Sequence, residues 1–316
     1  MKTLNEVYSA LSMRRRYEVW FVRMGLTDGR GAWWFRYLLM NPGRRGCVGN
    51  PRGMPVQVWA TWFPRTAAPM TWIQGFAVNE LKTSERGKNP FYFQVASNGI
   101  DENSCRGDIM VDGHRISWNL RYRSTFRVTL SNKGWIGFSR SPHSDAVFSG
   151  RIELDEKHFE GDPLGGGVQG HNCGYRHRSF WTWAHAYFLR SDGHPPSTLE
   201  ALTYDMPLGL VFRKVVLWHD QQQYEFRDLK TDNRASSFGW NFHCSAKDKT
   251  ELDAEIDGSG PAAHPISYLK TDCAGSFAVT NNSLARASVR LGLPGKPVET
   301  LETASGAVLE MAGQRT

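Results

Sequence analysis

Residues 162–188 read DPLGGGVQGHNCGYRHRSFWTWAHAYF. The first half gathers Gly165, Gly166, Gly167, Gly170 and Gly174 around Gln169, His171, Asn172 and His177, and the second half alternates large aromatic with small residues. On a strand, successive side chains point to opposite faces. Trp181, Trp183, His185 and Tyr187 therefore share one side, and Thr182, Ala184 and Ala186 the other. The ring-bearing side is a candidate wall of a ligand pocket.

Outward from this segment the chain repeats the same style. Short runs of β-branched and aromatic residues alternate with Gly, Asp, Asn and Pro turns, as in antiparallel β proteins. Tyr17 to Met24, a turn over Thr27–Gly31 and Ala32 to Met40 predict a first hairpin. Further strands are expected through Ser149–Leu154, and again from Phe180 to Met311. Only Met1–Met13 and Asn79–Thr83 invite a helix. Open sheet edges are aggregation hazards, so such chains close into barrels or sandwiches. Similar strand numbers in the two halves place a boundary near Asp162, giving domains at 1–161 and 162–316.

The chain has 316 residues, 22% charged and 40% hydrophobic, with 12 Trp and 17 Phe. That excludes global disorder and leaves room for two domains. Every apolar run is too short, or too interrupted by charge, to span a bilayer as a helix. Residues 1–16 lack the apolar core of a secretory signal, so the expected location is cytoplasmic. Five scattered cysteines without CxxC spacing read as independent thiols of a reducing compartment. No metal site and no cofactor are expected. The net charge of +7 could draw the protein to anionic surfaces. Its cations are dispersed, so no nucleic-acid partner is expected, while a peripheral membrane contact stays open.

Two acids interrupt apolar strand faces. Glu18 shares a side with Trp20, Val22 and Met24; Glu200 shares one with Leu202 and Tyr204. Arg36 lies with Trp34, Leu38 and Met40. If even positions pair with even across the first hairpin, Glu18 and Arg36 become diagonal neighbours. Each acid reads either as a structural ion pair or as a partly buried functional carboxyl.

The blocks Tyr17–Trp20, Gly31–Leu38 and Gly170–His185, with the closing run Glu302–Glu310, resemble the tocopherol cyclase and carotenoid 1,2-hydratase (hydroxyneurosporene synthase) group. The resemblance implies an all-β fold of two tandem antiparallel lipocalin-like barrels. It also implies a hydrophobic, isoprenoid-like ligand and alkene protonation followed by ring closure or hydration. Asn172-Cys-Gly174 departs from the group's Asn-Trp-Gly-like element, and His171 and His177 are additions.

Alkene protonation needs an acid that keeps its proton, which a dry pocket provides by raising a carboxyl pKa. Glu18 and Glu200 are the candidate acids, and His171 and His185 could relay protons or position a water. The candidate ligand wall comprises Trp20, Arg36, Trp118, Gln169, Asn172, Trp181, Trp183, Tyr187 and Trp240, the rings offering faces to a developing cation. Equally open is a structural reading, in which the glycines build an interdomain turn and the tryptophans are barrel core. The same pocket without an active acid would make a noncatalytic carrier of a lipid or isoprenoid.

Overall fold

A computed structural model of the chain describes residues 4–47, 50, 53–190, 194–227, 229–235 and 238–313. Two antiparallel sheets, twelve-stranded over Tyr17–Gly174 and ten-stranded over Trp181–Ala312, each curl into a nearly closed barrel. The fold is therefore all-β, with two lipocalin-like barrels in tandem. No α-helix occurs among the described residues; Val78–Glu80, where a helix was expected, is a single 3-10 turn. Residues 4–13 also lack helix.

The barrels repeat one topology. The first sheet runs from Val56–Pro64 through Gly31–Met40, Tyr17–Leu26, Lys157–Gly174 and Gly137–Leu154 to His114–Arg123. The second follows the same path from Val211–His219 through Ser197–Asp205, Trp181–Phe188, Glu299–Ala312 and Ser276–Gly292 to Glu251–Asp257. The expected boundary at Asp162 needs correction. That residue lies inside the Lys157–Gly174 strand of the first sheet, so the division falls between Gly174 and Trp181.

The glycine cluster is strand, not turn. A side chain at Gly170 would meet the Phe21 ring at 2.1 Å, and one at Gly166 would meet the Tyr187 ring at 2.5 Å. These positions are bare because aromatic rings lie directly on the backbone there, in the second case a ring from the other barrel.

Period-2 alternation sorts the first hairpin into two cores. Trp20, Val22 and Met24 join Trp33, Phe35, Tyr37 and Leu39 inside the barrel, whereas Val19, Phe21, Trp34, Leu38 and Met40 face outward and are still buried. The register pairs Phe21 with Arg36 and Glu18 with Leu39, odd with even. Glu18 therefore points inward and Arg36 outward, and the expected diagonal pair does not form.

The outward faces pack on each other. Phe21 meets Trp183 edge to face with ring centroids 5.5 Å apart. Beside them Arg23, fully buried, reaches from the first barrel into the second. Its guanidinium donates to the carbonyls of Gly306 and Ala307 at 2.9 Å each, and to those of Ser283 and Ser305. Those carbonyls lie around the register shifts between Ser276–Gly292 and Glu299–Ala312, where the sheet ladder is broken. Burial lowers the Arg23 pKa to about 9, which leaves it charged at neutral pH.

Cys47 and Cys273, 226 residues apart, form a disulfide with Cα atoms 5.3 Å apart, while Cys105, Cys173 and Cys244 are free and buried. The expectation of five independent thiols is corrected, and with it goes the cysteine argument for a reducing compartment. The bridge ties the loop after Gly31–Met40 to the turn between His264–Leu269 and Ser276–Gly292. No helix among the described residues is long and apolar enough to cross a membrane.

Replacing Arg23 by Met should cost about 2–4 kcal/mol of stability, because the carbonyls it serves lose a charged donor in a dry interface. Denaturant unfolding checks this; a midpoint within error of wild type would refute the lock. Non-reducing peptide mapping should recover Cys47 linked to Cys273, and the other three cysteines should alkylate only after unfolding.

Candidate functional site

Where the packed faces part, they leave a cavity of about 610 Å³ between the barrels, within the range of small-molecule sites. The first barrel contributes Tyr17, Val19, Phe21, Trp34 and Arg36; the second contributes Trp181, Trp183, Tyr204, Tyr268 and Glu310. The connecting segment Tyr175–Arg178 and the turn residues Lys133, Trp135 and Ile136 also border it. The barrel interiors themselves are filled by side chains, including the stacked Phe35–Trp118 and Trp33–Trp62 rings with centroids 4.4 and 4.8 Å apart. The ligand-sized cavity therefore lies between the barrels.

Glu310 is the carboxyl of this cavity. It sits opposite Trp183 in the sheet register, and its neighbours Val308 and Ala312 belong to the interbarrel core while Leu309 faces the barrel interior. The Trp181 indole donates to Oε1 at 3.0 Å; Tyr268 OH and Asn281 Nδ2 donate to Oε2 at 3.2 and 3.5 Å. Burial raises its pKa, with the Arg36 charge and these donors opposing.

Arg36 lies among rings, its guanidinium carbon 4.5 Å from the Tyr268 centroid, 4.7 Å from Trp59 and 5.0 Å from Trp34. It is 7% exposed, yet Nε and Nη1 have no hydrogen-bond partner. His177 stacks on Tyr17 with centroids 4.1 Å apart, and its Nδ1 also lacks a partner. Burial pushes its pKa down to about 3, so the imidazole is neutral at physiological pH. Burial likewise pushes the Tyr17 phenol up, keeping it protonated. Asn172 Oδ1 is a further unpartnered buried acceptor.

Of the sequence candidates, Arg36, Asn172, Trp181 and Trp183 line this cavity. Trp20 and Trp118 lie in the first barrel's core and Trp240 in the second's. Glu18 accepts from the backbone N–H groups of Tyr8 and Ser9 at 2.8 and 2.6 Å and contacts His171 Nε2 at 2.8 Å. Gln169 accepts from Asn5 at 2.9 Å. Glu18, His171 and Gln169 thereby hold the N-terminal segment against the barrel, away from the cavity lining.

Glu200 and His185 are cross-strand partners on the Trp183 side of the sheet. They are buried beyond the cavity lining, where Ser141 donates to Glu200 at 2.7 Å and His185 Nε2 donates to the Ser144 carbonyl at 2.8 Å. Tyr187 lies over Gly166 on the same face. Burial raises the Glu200 pKa to about 7 and lowers that of His185 to about 3.

Glu310, Tyr268 and Tyr17 escaped the sequence reading as site residues. The available signal was Glu310 itself, an acid within the otherwise apolar run 307–312, which marks a strand buried on both faces. Among the described residues, one group with metal-ligand geometry, His219, Asp220 and Glu299, lies outside the cavity lining, and Arg190 pairs with its Asp220 at 2.6 Å.

No family model and no curated protein matches the chain. Solved structures do resemble it. Kievitone hydratase from Nectria haematococca shares 11% identity at a TM-score of 0.55, over 98% of this chain and 94% of that one. CghA, in complex with Sch210972, shares 10% identity at a TM-score of 0.59, over 94% of this chain and 88% of that one. At such identity the likeness establishes the fold: this chain has the tandem-barrel architecture found in a hydratase and in a small-molecule-binding protein.

Glu200 supplies a pH test of its buried setting. Its folded pKa lies above the ordinary carboxyl value of 4.5, so the stability it permits is full below pH 4.5 and is lost as pH rises through about 7. The loss amounts to about 3 kcal/mol, from a shift of roughly two and a half units. Glu200→Gln should therefore melt at a higher temperature than wild type at pH 8, with the gap closing near pH 5. Parallel pH curves for the two proteins would contradict this.

Proposed function

We propose that the protein binds a hydrophobic small molecule between its barrels and catalyses hydration or ring closure at an alkene of that ligand, with Glu310 as the proton donor. One observation carries the reading: a carboxyl with a raised pKa borders an aromatic-lined cavity of ligand size. In hydration, the Glu310 proton passes to one alkene carbon, water adds to the other, and the water's released proton returns to the carboxylate. In ring closure, a hydroxyl of the ligand takes the place of water. Neither sequence consumes a cofactor.

The Trp181 and Tyr268 donors hold the carboxyl in one orientation, and the Trp181 and Trp183 faces border the path of the developing charge. The names of the similar structures, a hydratase and a protein holding Sch210972, support this class of ligand and reaction, as do the motifs shared with the tocopherol cyclase and carotenoid hydratase group. Trp135, Ile136, Leu208 and Leu210 are exposed, and Trp135 and Ile136 border the cavity together with Lys133. That combination supports delivery of the ligand from a lipid surface by peripheral contact.

A carrier would need the cavity but not the acid. With kievitone and farnesoic acid as trial substrates, wild type should form products of unchanged mass or of one added water. Glu310→Gln should lower turnover about 100-fold or more. The variant should still quench its tryptophan fluorescence on binding the same compounds. Turnover should also fall as pH rises through the raised Glu310 pKa. Binding without turnover in wild type would leave the carrier reading instead.

A further inference from the structure

The cavity wall is electrostatically one-sided. Arg36, Lys133, Arg176 and Arg178 border it, against the single carboxyl of Glu310. None of the four cations has an ion-pair partner among the described residues, although surface arginines elsewhere pair readily, as Arg115 does with Asp108. Arg178 and Lys133 instead lie over the Tyr204 and Phe212 rings, at 5.1 and 5.4 Å. His177, held neutral by burial, adds no charge of either sign, and burial favours the protonated form of Glu310.

Arg36 is the decisive residue. Arg36 is buried and lines the cavity, and two of its donor nitrogens, Nε and Nη1, have no hydrogen-bond partner. A buried cation without acceptors is costly, and aromatic faces satisfy its charge but not its N–H groups. A ligand oxygen can do both. Arg23, in the same interface, shows the alternative: carbonyls serve nearly all of its guanidinium, and it is not part of this cavity's lining.

We propose that the ligand class of this cavity is an apolar molecule bearing one carboxylate, seated with the carboxylate on Arg36 and the apolar body along Trp181 and Trp183. The assignment rests on the cavity being the ligand site. Arg176, Arg178 and Lys133 attract the anion toward the entrance, and Arg36 fixes it by a guanidinium–carboxylate contact. A neutral hydrocarbon leaves the Arg36 donors empty. A unit charge close to a buried guanidinium interacts with it more strongly than it would in bulk water, because the effective permittivity there is lower. A bare carbocation would meet that as repulsion, whereas a carboxylate gains it and screens the cation that follows. The anion also offsets the charge that opposes protonation of Glu310, so substrate binding itself favours the acid form.

The decisive comparison uses 1-pyrenebutyric acid and 1-pyrenebutanol, which share one apolar body and differ in charge. Fluorescence titration of wild type should give at least tenfold tighter binding of the acid, with the preference weakening in high salt. Arg36→Gln should bring the two within threefold, and Arg36→Lys should retain part of the preference. Circular dichroism melting identifies any variant that fails to fold, and the wild-type comparison stands without the variants. Equal binding of acid and alcohol to wild type would overturn the proposal while leaving the apolar ligand site intact. An acid preference unchanged in a folded Arg36→Gln would also overturn it. Failure of both compounds to bind would overturn the proposal together with the reading of the cavity as a ligand site.

Discussion

Everything in this molecule that concerns function depends on the outer faces of two barrels being held together, and the buried Arg23 is a central side chain across that join. A guanidinium buried with no carboxylate is unusual. It is tolerated here because the second barrel's strands present carbonyls to it around their register shifts. The bulge and the arginine therefore satisfy each other. With the Phe21–Trp183 contact and the Cys47–Cys273 bridge, they fix the separation of the two faces and so the width of the cavity between them.

A site built this way differs from one inside a barrel. The barrel interiors are packed with apolar side chains, rings prominent among them, which gives each domain its own core. The interbarrel faces carry side chains chosen under a second constraint, since they must pack where the sheets touch and remain functional where they part. Several unpartnered polar atoms lie on that surface: Arg36 has two, and Asn172, His177 and Trp34 have one each. Such groups cost stability in a packed interface, and they gather where a polar ligand group can meet them.

Alternation made the fold readable. The aromatic face of Trp181 and Trp183, the first hairpin and the barrel pairing all followed from period-2 patterning, which depends on local geometry. The site was only partly legible, for the same reason. Glu18 and Glu310 each lie among apolar neighbours, and sequence alone does not say which face of a doubly buried strand looks into its own barrel. The hairpin register decided that, placing Glu18 inside against the Tyr8 and Ser9 amides and Arg36 outside. Tyr268 and the Cys47–Cys273 bridge were less visible still, because they depend on one barrel's turn reaching the other barrel, a contact spanning more than 200 residues.

The repeated topology explains why one chemical site arises from two similar halves. Counted along matching strands, Tyr17 pairs with Gly174 and Met40 just as Trp181 pairs with Ala312 and Tyr204. On that register Asn172 stands where the second barrel has Glu310, and Arg36 stands where it has Glu200. Face-to-face packing of two equal barrels would give related environments on both sides of the join, with like charges brought together. Opposite choices at these positions remove that conflict: a neutral amide faces the cavity from one half and an acid from the other, while the cation of one half replaces the carboxyl of its counterpart. Divergence at matching strand positions thus turns a symmetric contact into an oriented pocket, with an acid on one wall and a guanidinium on the facing wall.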